Sequence, residues 1–533
     1  MTFDHHAGAR MHPSIHAQEK PDAPAVIMSR TGQVVTYREL DGRSNQVAHL
    51  FRGRGLQRGD SVAVLMENLS TYFEIAWAAQ RSGLYLVGVS SKLTADEVAY
   101  ILADSEAKLL VTSEKLKEVA QAAAAARSVQ VLAAAPDGLS GEFDRLRSTL
   151  PDARIADESS GADMLYSSGT TGRPKGVRPP LPEEPIDAST RITAQAKHRY
   201  GMTDHTVYLS PAPLYHAAPL RWCMAVQRLG GAVVVAEQAD SEELLSLIER
   251  YRVTHAQFVP THFVRMLRLP EAVREKYDLS SLVAVFHAAA PCPVPVKEQM
   301  LAWWGPIIHE YYAGSEGNGI TCASPDEWLS HKGTVGRAFN CDVKICGDDG
   351  EPLAAGETGL VYFANGPCFA YHNDPEKTAA AYNQYGWSTL GDVGRLDEDG
   401  FLYLTDRKSF MIISGGVNIY PQEIENLLLE HPEIGDVAVV GAPDPEFGEN
   451  VVAVVEPLRW PDDPSATAEQ ILAWAKSRLS PIKTPKRVDF IRTLPRTPTG
   501  KLLKRLVRDA YWQQNDDIAP QIIPGFKRTK ERT

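Results

Sequence analysis

The first part of the chain alternates between short apolar runs and segments whose apolar residues recur at helical spacing. Ser61 to Met66 has the continuous apolar pattern of a buried strand, and Thr71 to Arg81 has the periodicity of a helix. Thr94 and Glu97 form a capping-box signature that predicts the start of another helix. Two further strands are predicted at residues 108–112 and 129–133. This order predicts an α/β fold whose sheet is largely parallel.

Three predicted strands in the middle of the chain end in a histidine or in small residues. These ends are His216, Ala288 to Ala290, and Ala313 to Glu316. In open α/β sheets ligands bind beyond the carboxyl ends of the strands, where small residues admit a flat ring. Tyr312 could stack on such a ring, and Glu316 could help to hold a divalent cation. Taken singly, each feature also fits core packing or solvated surface.

The last third of the chain contains a carboxylate among glycines and then a change of pattern. Gly386 to Asp392 predicts a glycine turn whose carboxylate can bind a ribose diol. Asp406 follows a predicted strand, Phe401 to Leu404, and helices are predicted from Gln422 and over Ala468 to Leu479. We therefore predict a large N-terminal domain of layered sheets and helices, residues 1–405, and a small C-terminal α+β domain, residues 406–533.

A loop rich in glycine and hydroxyl groups, Ser167 to Gly176, follows an apolar run and ends in Pro174-Lys175-Gly176. Backbone N–H groups and hydroxyls at this density suit a polyphosphate, and Lys175 supplies a cation. The spacing differs from the Walker A loop, which needs Gly-Lys followed by Ser or Thr. A flexible linker is the alternative interpretation.

Composition excludes several classes of protein. The 533 residues exceed one ordinary core, and 44% apolar and 23% charged residues are typical of a globular protein. A net charge of −12 argues against a general nucleic-acid binder. The six cysteines contain no CxxC pair, and neither a signal peptide nor an apolar run long enough to span a membrane is evident. We expect a cytoplasmic protein.

Near the C-terminus, Gly500-Lys501 closes a loop shaped by proline and glycine, and its surroundings are basic. A solvated basic tail is the simpler interpretation of this segment. The alternative is a lysine that is delivered to an anionic reaction centre.

Five motifs, in this order along the chain, resemble those of the adenylate-forming (AMP-binding) superfamily, acyl-CoA synthetase type, which includes fatty-acid and aryl-CoA ligases. They are Ser167 to Gly176, Tyr312 to Glu316, Leu390 to Asp392, the stretch from Arg407, and Gly500-Lys501. The resemblance covers nearly the whole chain. It implies a large adenylate-forming domain followed by a small, mobile C-terminal domain.

The resemblance also implies a reaction in two steps that uses ATP, Mg²⁺ and coenzyme A. A carboxylate attacks the α-phosphorus of ATP to give acyl-AMP and pyrophosphate, and a thiol then displaces AMP. Charge crowding between the carboxylate and the triphosphate forms the barrier, so cations and fixed N–H donors carry the catalysis.

The resemblance assigns a role to each matching residue. The catalytic residues are Lys501, His216 and Glu316, and the metal ligands are Glu316 and Thr170. The acyl pocket contains His216, Ala217, Trp222 and Gly314, and the coenzyme A tunnel contains Ser414, Gly415 and Gly416. The nucleotide-binding residues are Ser167, Ser168, Gly169, Thr170, Thr171, Gly172, Lys175, Ala288, Ala289, Ala290, Glu310, Tyr311, Tyr312, Ala313, Gly314, Ser315, Asp392, Arg407 and Lys501.

Some positions depart from the family pattern. Ala313 replaces a glycine, Ser315 a threonine and Leu390 a threonine, while Ser409 and Phe410 stand where the hinge usually has Lys or Asp. The serine keeps its hydroxyl, whereas Leu390 loses one. In the family the C-terminal domain rotates about a hinge just after the arginine that matches Arg407. Because this chain lacks the usual hinge residue, the family's account of which residue allows the rotation does not carry over.

The sequence leaves the acid and the acceptor open. Residues 211–220 contain His216 and no carboxylate to pair with an α-amino group, which favours a plain carboxylic acid: a medium- or long-chain fatty acid, or a bulky aromatic or alicyclic one. An acyl-AMP ligase that loads a carrier protein, a luciferase-like oxygenase and a non-catalytic nucleotide-binding protein are the alternatives. A homodimer is also left open.

Overall fold

The chain forms two compact units in the computed structural model, which describes residues 10–127, 129–167, 174–407, 410–414, 417–496, 502–512 and 518–525. The first unit comprises Met1–Ala288, Pro295–Asp326 and Gly366–Ala380, and the second comprises Ala289–Val294, Glu327–Asn365 and Ala381–Thr533. The domain boundary at residue 405 stays a prediction. Among the described residues, no helix has both the length and the apolar character that crossing a membrane requires.

Two sheets organise the first unit. Its strands are β1 (Pro24–Met28), β2 (Val34–Thr36), β3 (Ser61–Leu65), β4 (Tyr85–Val89), β5 (Ala107–Ser113), β6 (Gln130–Ala134), β7 (Ala162–Ser167), β8 (Lys175–Val177), β9 (Val207–Ser210), β10 (Ala232–Val235), β11 (His255–Phe258), β12 (Ala284–His287), β13 (Ile308–Ala313) and β14 (Ile320–Ala323). In one sheet the strand order is β6-β5-β3-β4-β7-β8. In the other sheet, the strands of this unit follow the order β14-β13-β12-β11-β9-β10-β1-β2. Only β1–β2, β7–β8 and β13–β14 pair antiparallel among these strands, so the predicted α/β fold with a largely parallel sheet is confirmed.

Helices connect these strands. They are α1 (Pro13–Glu19), α2 (Tyr37–Gly53), α3 (Thr71–Arg81), α4 (Ala95–Asp104), α5 (Lys117–Ala124), α6 (Glu142–Ser148), α7 (Arg191–Tyr200), α8 (Ala217–Leu229), α9 (Ser241–Tyr251), α10 (Pro260–Leu267), α11 (Glu271–Arg274), α12 (Val294–Trp304), α13 (Pro325–Ser330) and α14 (Pro375–Ala380). The predicted capping box at Thr94 is confirmed, because its hydroxyl accepts from the Glu97 N–H at 3.4 Å while the Glu97 carboxylate accepts from the Thr94 N–H at 2.8 Å.

The core of the first unit includes buried charge. Helix α3 is buried on nearly every side, and its Glu74 has no exposed surface. Burial raises the pKa of Glu74, and the positive charges of Arg147 and Arg43 partly offset this rise. Both arginines are hydrogen-bonded to this carboxylate, which keeps a buried anion paired as its desolvation requires.

The second unit has two further sheets. Its strands are β15 (Arg337–Ala338), β16 (Asp342–Cys346), β17 (Gly359–Ala364), β18 (Ser388–Leu396), β19 (Leu402–Arg407), β20 (Ile412–Ser414), β21 (Val417–Ile419), β22 (Ile434–Asp444), β23 (Gly448–Pro457), β24 (Arg487–Phe490) and β25 (Ile523–Pro524). Strands β16-β17-β18-β19 form an antiparallel sheet, and β21-β20-β23-β24-β25 form a mixed one in which β22 also pairs with β23. The helices are α15 (Pro421–Leu428), α16 (Pro464–Lys476) and α17 (Lys504–Tyr511).

Two sequence predictions in this unit need correction. Asp392 does not lie in a glycine turn but within β18, because pairing with β17 and β19 on both sides overrides the local glycine signal. Gly391 keeps a positive φ of 79° inside that strand. The helix predicted over residues 468–479 begins earlier, at Pro464, because the Asp463 side chain accepts from two N–H groups of the first turn.

Candidate active site

Strands β7 and β8 support the predicted phosphate loop at its two ends. They pair antiparallel, with Ser167 opposite Lys175. Gly176 packs closely against its neighbours, because an added Cβ would lie 2.9 Å from Met164 Cε and 3.2 Å from Asp104 Oδ2. A larger residue at this position would require these side chains to shift.

Several predicted site residues lie outside the described part of the chain. They are Ser168, Gly169, Thr170, Thr171, Gly172, Gly415, Gly416 and Lys501. Their assignments to phosphate binding, the metal, the coenzyme A tunnel and catalysis stay predictions.

The structure brings Lys175 and Glu316 to one shared neighbour, Tyr371. The Lys175 Nζ lies 4.9 Å from the centroid of the Tyr371 ring, and the Tyr371 hydroxyl donates to Glu316 Oε1 at 3.2 Å. Burial, followed by the charge of Lys377, lowers the pKa of the Lys175 ammonium. A half-buried cation and a half-buried carboxylate thus meet on one aromatic side chain.

A cavity of about 450 Å³ opens beside Lys175. Its lining residues are Tyr100, Asp104, Pro174, Lys175, Gly176, His372, Asn373, Asp374 and Lys377. The lining contains two lysines and a histidine together with two carboxylates, Asp104 and Asp374, and Lys377 lies 2.7 Å from Asp374.

The stretch from Tyr311 to Glu316 passes from the buried end of β13 into a turn. Tyr312 is half-buried, while Ala313 and Ser315 are exposed and Gly314 is half-buried. The Gly317 N–H donates to the Gly314 carbonyl at 3.1 Å, and Gly317 has a φ of 70°. This turn presents Glu316 after the strand ends, as the sequence predicts for a ligand site at a sheet edge.

The alanine stretch after β12 has an unusual backbone conformation. Ala288 is buried, Ala289 is exposed and Ala290 is half-buried. Ala289 has a φ of 74°, a left-handed conformation that a residue with a Cβ rarely adopts. Strained backbone conformations of this kind cluster at functional sites, which is compatible with the predicted role of this stretch in binding a ligand.

Glu310 is held in a buried ion pair that the sequence did not reveal. Lys297 Nζ lies 2.7 Å from Glu310 Oε2, and His287 Nε2 lies 3.4 Å from the same oxygen. Burial alone would raise the pKa of Glu310, but the charges of Lys297 and His287 bring it down to about 2. The side chain is only 4% exposed, and its contact with adenine stays a prediction.

His216 occupies the N-cap position of α8, and its side chain makes no capping hydrogen bond to the helix. Its Nε2 is buried and has no hydrogen-bond partner among the described residues. Burial lowers the pKa of His216 to about 4, so the ring is neutral at neutral pH. Ala217 opens the helix, and the Tyr215 ring lies 4.5 Å from that of His216. A neutral, unsatisfied imidazole at a helix start can bind a ligand by hydrogen bonding.

Trp222, one turn further along α8, lies in an aromatic cluster. Its ring centroid is 4.5 Å from that of Phe286, and its Nε1 donates to the Tyr311 hydroxyl at 3.3 Å. The Gln257 amide donates to the same hydroxyl at 2.6 Å. Trp222 is 2% exposed, so its predicted place in the acyl pocket stays a prediction.

The residues predicted to bind the ribose and to line the coenzyme A tunnel belong to the second unit. Asp392 on β18 is buried and stands opposite Arg407 on β19, and their joint action on a ribose stays a prediction. Ser414 is the last residue of β20 and stands opposite Val417 on β21.

Comparison with known proteins decides the family. Residues 14–370 match the AMP-binding enzyme family, and residues 423–501 match the AMP-binding enzyme C-terminal domain. The chain belongs to the AMP-binding enzyme family. It is an AMP-forming acid–thiol ligase with a large N-terminal and a smaller C-terminal domain, and it binds ATP and AMP.

Two curated relatives and one crystal structure illustrate the similarity. The chain is 33% identical to a feruloyl-CoA synthase of Amycolatopsis sp over 94% of this chain and 98% of the relative. It is 31% identical to the long-chain-fatty-acid–CoA ligase FadD13 of Mycobacterium tuberculosis over 93% and 97%. The fold matches ATP-bound MatB from Rhodopseudomonas palustris with a TM-score of 0.80 and 27% identity, over 94% of this chain and 99% of that one.

Proposed function

We propose that this enzyme converts a carboxylic acid with a bulky apolar body, either a medium- or long-chain fatty acid or an aromatic or alicyclic one, into its coenzyme A thioester through an acyl-AMP intermediate. The observation that carries the proposal is the start of α8. A neutral imidazole with an unused nitrogen begins the helix, and its first two turns contain no carboxylate. Relatives that act on ferulate and on long-chain fatty acids agree with this class of acid.

In this proposal the neutral His216 ring donates a hydrogen bond from Nε2–H to an oxygen of the reacting carboxylate. Being neutral, it orients the carboxylate without forming an ion pair that would weaken its attack on phosphorus. Ala217 and Gly314 leave room for the acyl body, and Trp222 forms a wall. The Tyr311 hydroxyl, bound by Trp222 and Gln257, fixes the orientation of that indole.

Lys175 and Glu316 would bind opposite parts of the magnesium–ATP complex. Lys175 would hold the outgoing β- and γ-phosphates together with the loop Ser167 to Gly172. Glu316 would contribute a carboxylate to Mg²⁺, with Thr170 as a second ligand. No cluster of three or more His, Cys, Asp or Glu side chains suited to a metal occurs among the described residues. Mg²⁺ accepts such a sparse protein site, because phosphate oxygens and water commonly complete its shell.

The remaining roles concern the nucleoside, the reaction centre and the thiol. Ala288 to Ala290 and Tyr312 would enclose adenine, and Asp392 with Arg407 would bind the ribose hydroxyls. Lys501 would bridge the carboxylate and the α-phosphate, where it offsets the crowded negative charge. Ser414, Gly415 and Gly416 would line the passage of the coenzyme A thiol.

One assay tests the proposal and its nearest alternative. The full chain is incubated with ATP, Mg²⁺ and a panel of acids, namely octanoate, palmitate, cinnamate, ferulate, cyclohexanecarboxylate, malonate and glycine. AMP is measured without a thiol, with coenzyme A and with a phosphopantetheinyl carrier protein. We expect AMP release that depends on coenzyme A for the apolar acids. A preference for malonate or glycine would reject the acid class, and release that depends only on the carrier protein would establish the carrier-loading alternative.

A further inference from the structure

Tyr371 contacts two residues of opposite charge, although no sequence motif singled it out. Its hydroxyl donates to Glu316 Oε1 at 3.2 Å, and its ring lies under the Lys175 ammonium at 4.9 Å. Both distances lie within the range of an energetically useful contact. The charge of Glu316 acts on the Lys175 ammonium, and both side chains contact Tyr371.

The fold fixes Tyr371 independently of these two contacts. Its backbone forms a bridge with Val177 of β8, and its N–H donates to Thr378 Oγ1 at 2.9 Å. The Phe369 ring meets the Tyr371 ring edge-on with centroids 5.2 Å apart. The position of the ring therefore follows from β8 and α14, so Lys175 and Glu316 are arranged around it rather than the reverse.

This arrangement keeps two opposite charges apart. A lysine and a glutamate that meet without an intervening group form an ion pair, which satisfies both and leaves neither available to a ligand. Here the ring face holds the ammonium and the hydroxyl holds one carboxylate oxygen. Within the part of the chain that the structure describes, Glu316 Oε2 and the N–H groups of Lys175 have no hydrogen-bond partner, which leaves them for a cation and for phosphate oxygens.

We propose that Tyr371 is a positioning residue for ATP, which holds Lys175 toward the phosphates and Glu316 toward the metal at a fixed separation before the nucleotide binds. The inference rests on the proposed roles of Lys175 and Glu316. It goes beyond them in assigning their preorganisation to one side chain whose two contacts can be removed separately.

Two substitutions separate the two contacts. Tyr371→Phe removes the hydrogen bond to Glu316 but keeps a ring under Lys175, and Tyr371→Leu removes both. Binding of α,β-methylene-ATP to the full chain is measured by calorimetry with and without Mg²⁺. For Tyr371→Phe we expect a roughly tenfold loss of affinity with Mg²⁺ and no loss without it, as the removal of one hydrogen bond to a carboxylate implies. For Tyr371→Leu we expect a loss under both conditions.

The matched control is Tyr385→Phe, since the Tyr385 hydroxyl also donates to a carboxylate, Glu351 Oε2 at 2.7 Å, but has no role in the proposed site. It should bind the analogue as the unmodified chain does. Equal losses with and without Mg²⁺ for Tyr371→Phe, or no loss at all, would overturn the inference. Lys175→Met and Glu316→Gln distinguish its failure from that of the proposed function: if neither weakens binding, the roles on which it rests are wrong as well.

Discussion

At the scale of single residues, His216 shows how burial decides chemistry. A histidine that is exposed titrates near 6.5, whereas burial lowers the pKa of His216 to about 4. Its Nε2 has no hydrogen-bond partner among the described residues, as is also true of ring nitrogens of His12 and His287; what distinguishes His216 is its place at the start of α8, after the end of β9. We therefore treat it as a neutral hydrogen-bonding group of the site.

Replacement of His216 by Ala should lower kcat/KM for the acid by about 10- to 100-fold, which corresponds to one lost hydrogen bond to a charged group. The KM for ATP should change little. Because the residue titrates near pH 4, the pH–rate profile between about pH 6 and 8 should keep its shape in the variant. Steady-state kinetics at several pH values check this, with the exposed His205→Ala as control. An equal rise of KM for both substrates would contradict the assignment.

Replacement of Lys501 by Ala should separate the two half-reactions. Since Lys501 is assigned to the carboxylate and the α-phosphate, acyl-AMP formation, followed by pyrophosphate exchange, should fall by about 100-fold or more. Thioester formation from supplied acyl-AMP and coenzyme A should continue at close to the unmodified rate. Lys504→Ala is not a suitable control, because Lys504 is buried with its Nζ 2.9 Å from Glu425 Oε1. Arg505→Ala is the control, since the Arg505 side chain is exposed. Equal losses in both half-reactions would remove Lys501 from its role.

The sequence could predict some of the site residues and not others, for a physical reason. Lys175 and Glu316 stand in motifs whose residue types and spacing carry the chemistry. Tyr371 lies 55 residues from Glu316 and Lys297 lies 13 residues from Glu310, and their importance comes from contacts across the fold. No local pattern marks them, although Lys297 is a lysine at a buried helical position, which is a weak signal that a partner exists.

At the scale of elements, the Lys297–Glu310 pair joins α12 to β13, the strand that also carries Tyr312. A buried ion pair contributes little net stability, yet removal of one partner leaves an uncompensated charge. Lys297→Met should therefore reduce the free energy of unfolding by about 3–5 kcal/mol. The double variant Lys297→Met/Glu310→Leu should recover most of this loss. Urea denaturation of both variants measures the difference, and a double variant as unstable as the single one would show that packing, rather than charge, causes the loss.

Element boundaries follow the sequence where local and tertiary preferences agree. Helix α3 spans Thr71 to Arg81 as predicted, because its periodicity and its burial agree. Strand β18 was missed around Asp392, since glycines signal a turn locally while two neighbouring strands impose extended pairing. The start of α16 at Pro464 was missed although Asp463-Pro464 is a typical helix start, with an N-cap carboxylate and a proline in the first turn.

At the scale of the whole molecule, the compact units do not follow the order of the chain. Along the chain, two segments of the second unit, Ala289–Val294 and Glu327–Asn365, lie between segments of the first unit. Sequence pattern predicts boundaries where composition changes, but it contains no record of which distant segments pair. The motifs nevertheless predicted the family, because each motif is a short local segment and the five occur in the same order along this chain as in the family.

The same scale governs the response to acid, because several buried histidines are neutral in the folded chain. Burial lowers the pKa of His12, His216 and His262, the last two to about 4. These three imidazoles therefore bind more protons in the unfolded chain than in the folded one between about pH 4 and 6.5, so their contribution to stability should rise with pH across this window and level off above it.

His262→Gln tests this relation in one position. The variant should lower the slope of unfolding free energy against pH by at most about 1.4 kcal/mol per pH unit between pH 4 and 6.5, which is the contribution of one proton. Glutamine can still accept from the Val259 N–H, which His262 binds at 3.2 Å, so the start of α10 keeps its partner. His205→Gln replaces an exposed imidazole and is the control. Urea titrations at half-unit pH steps measure both slopes, and a His262→Gln slope equal to that of His205→Gln would mean that this ring is protonated equally in the folded and unfolded chains.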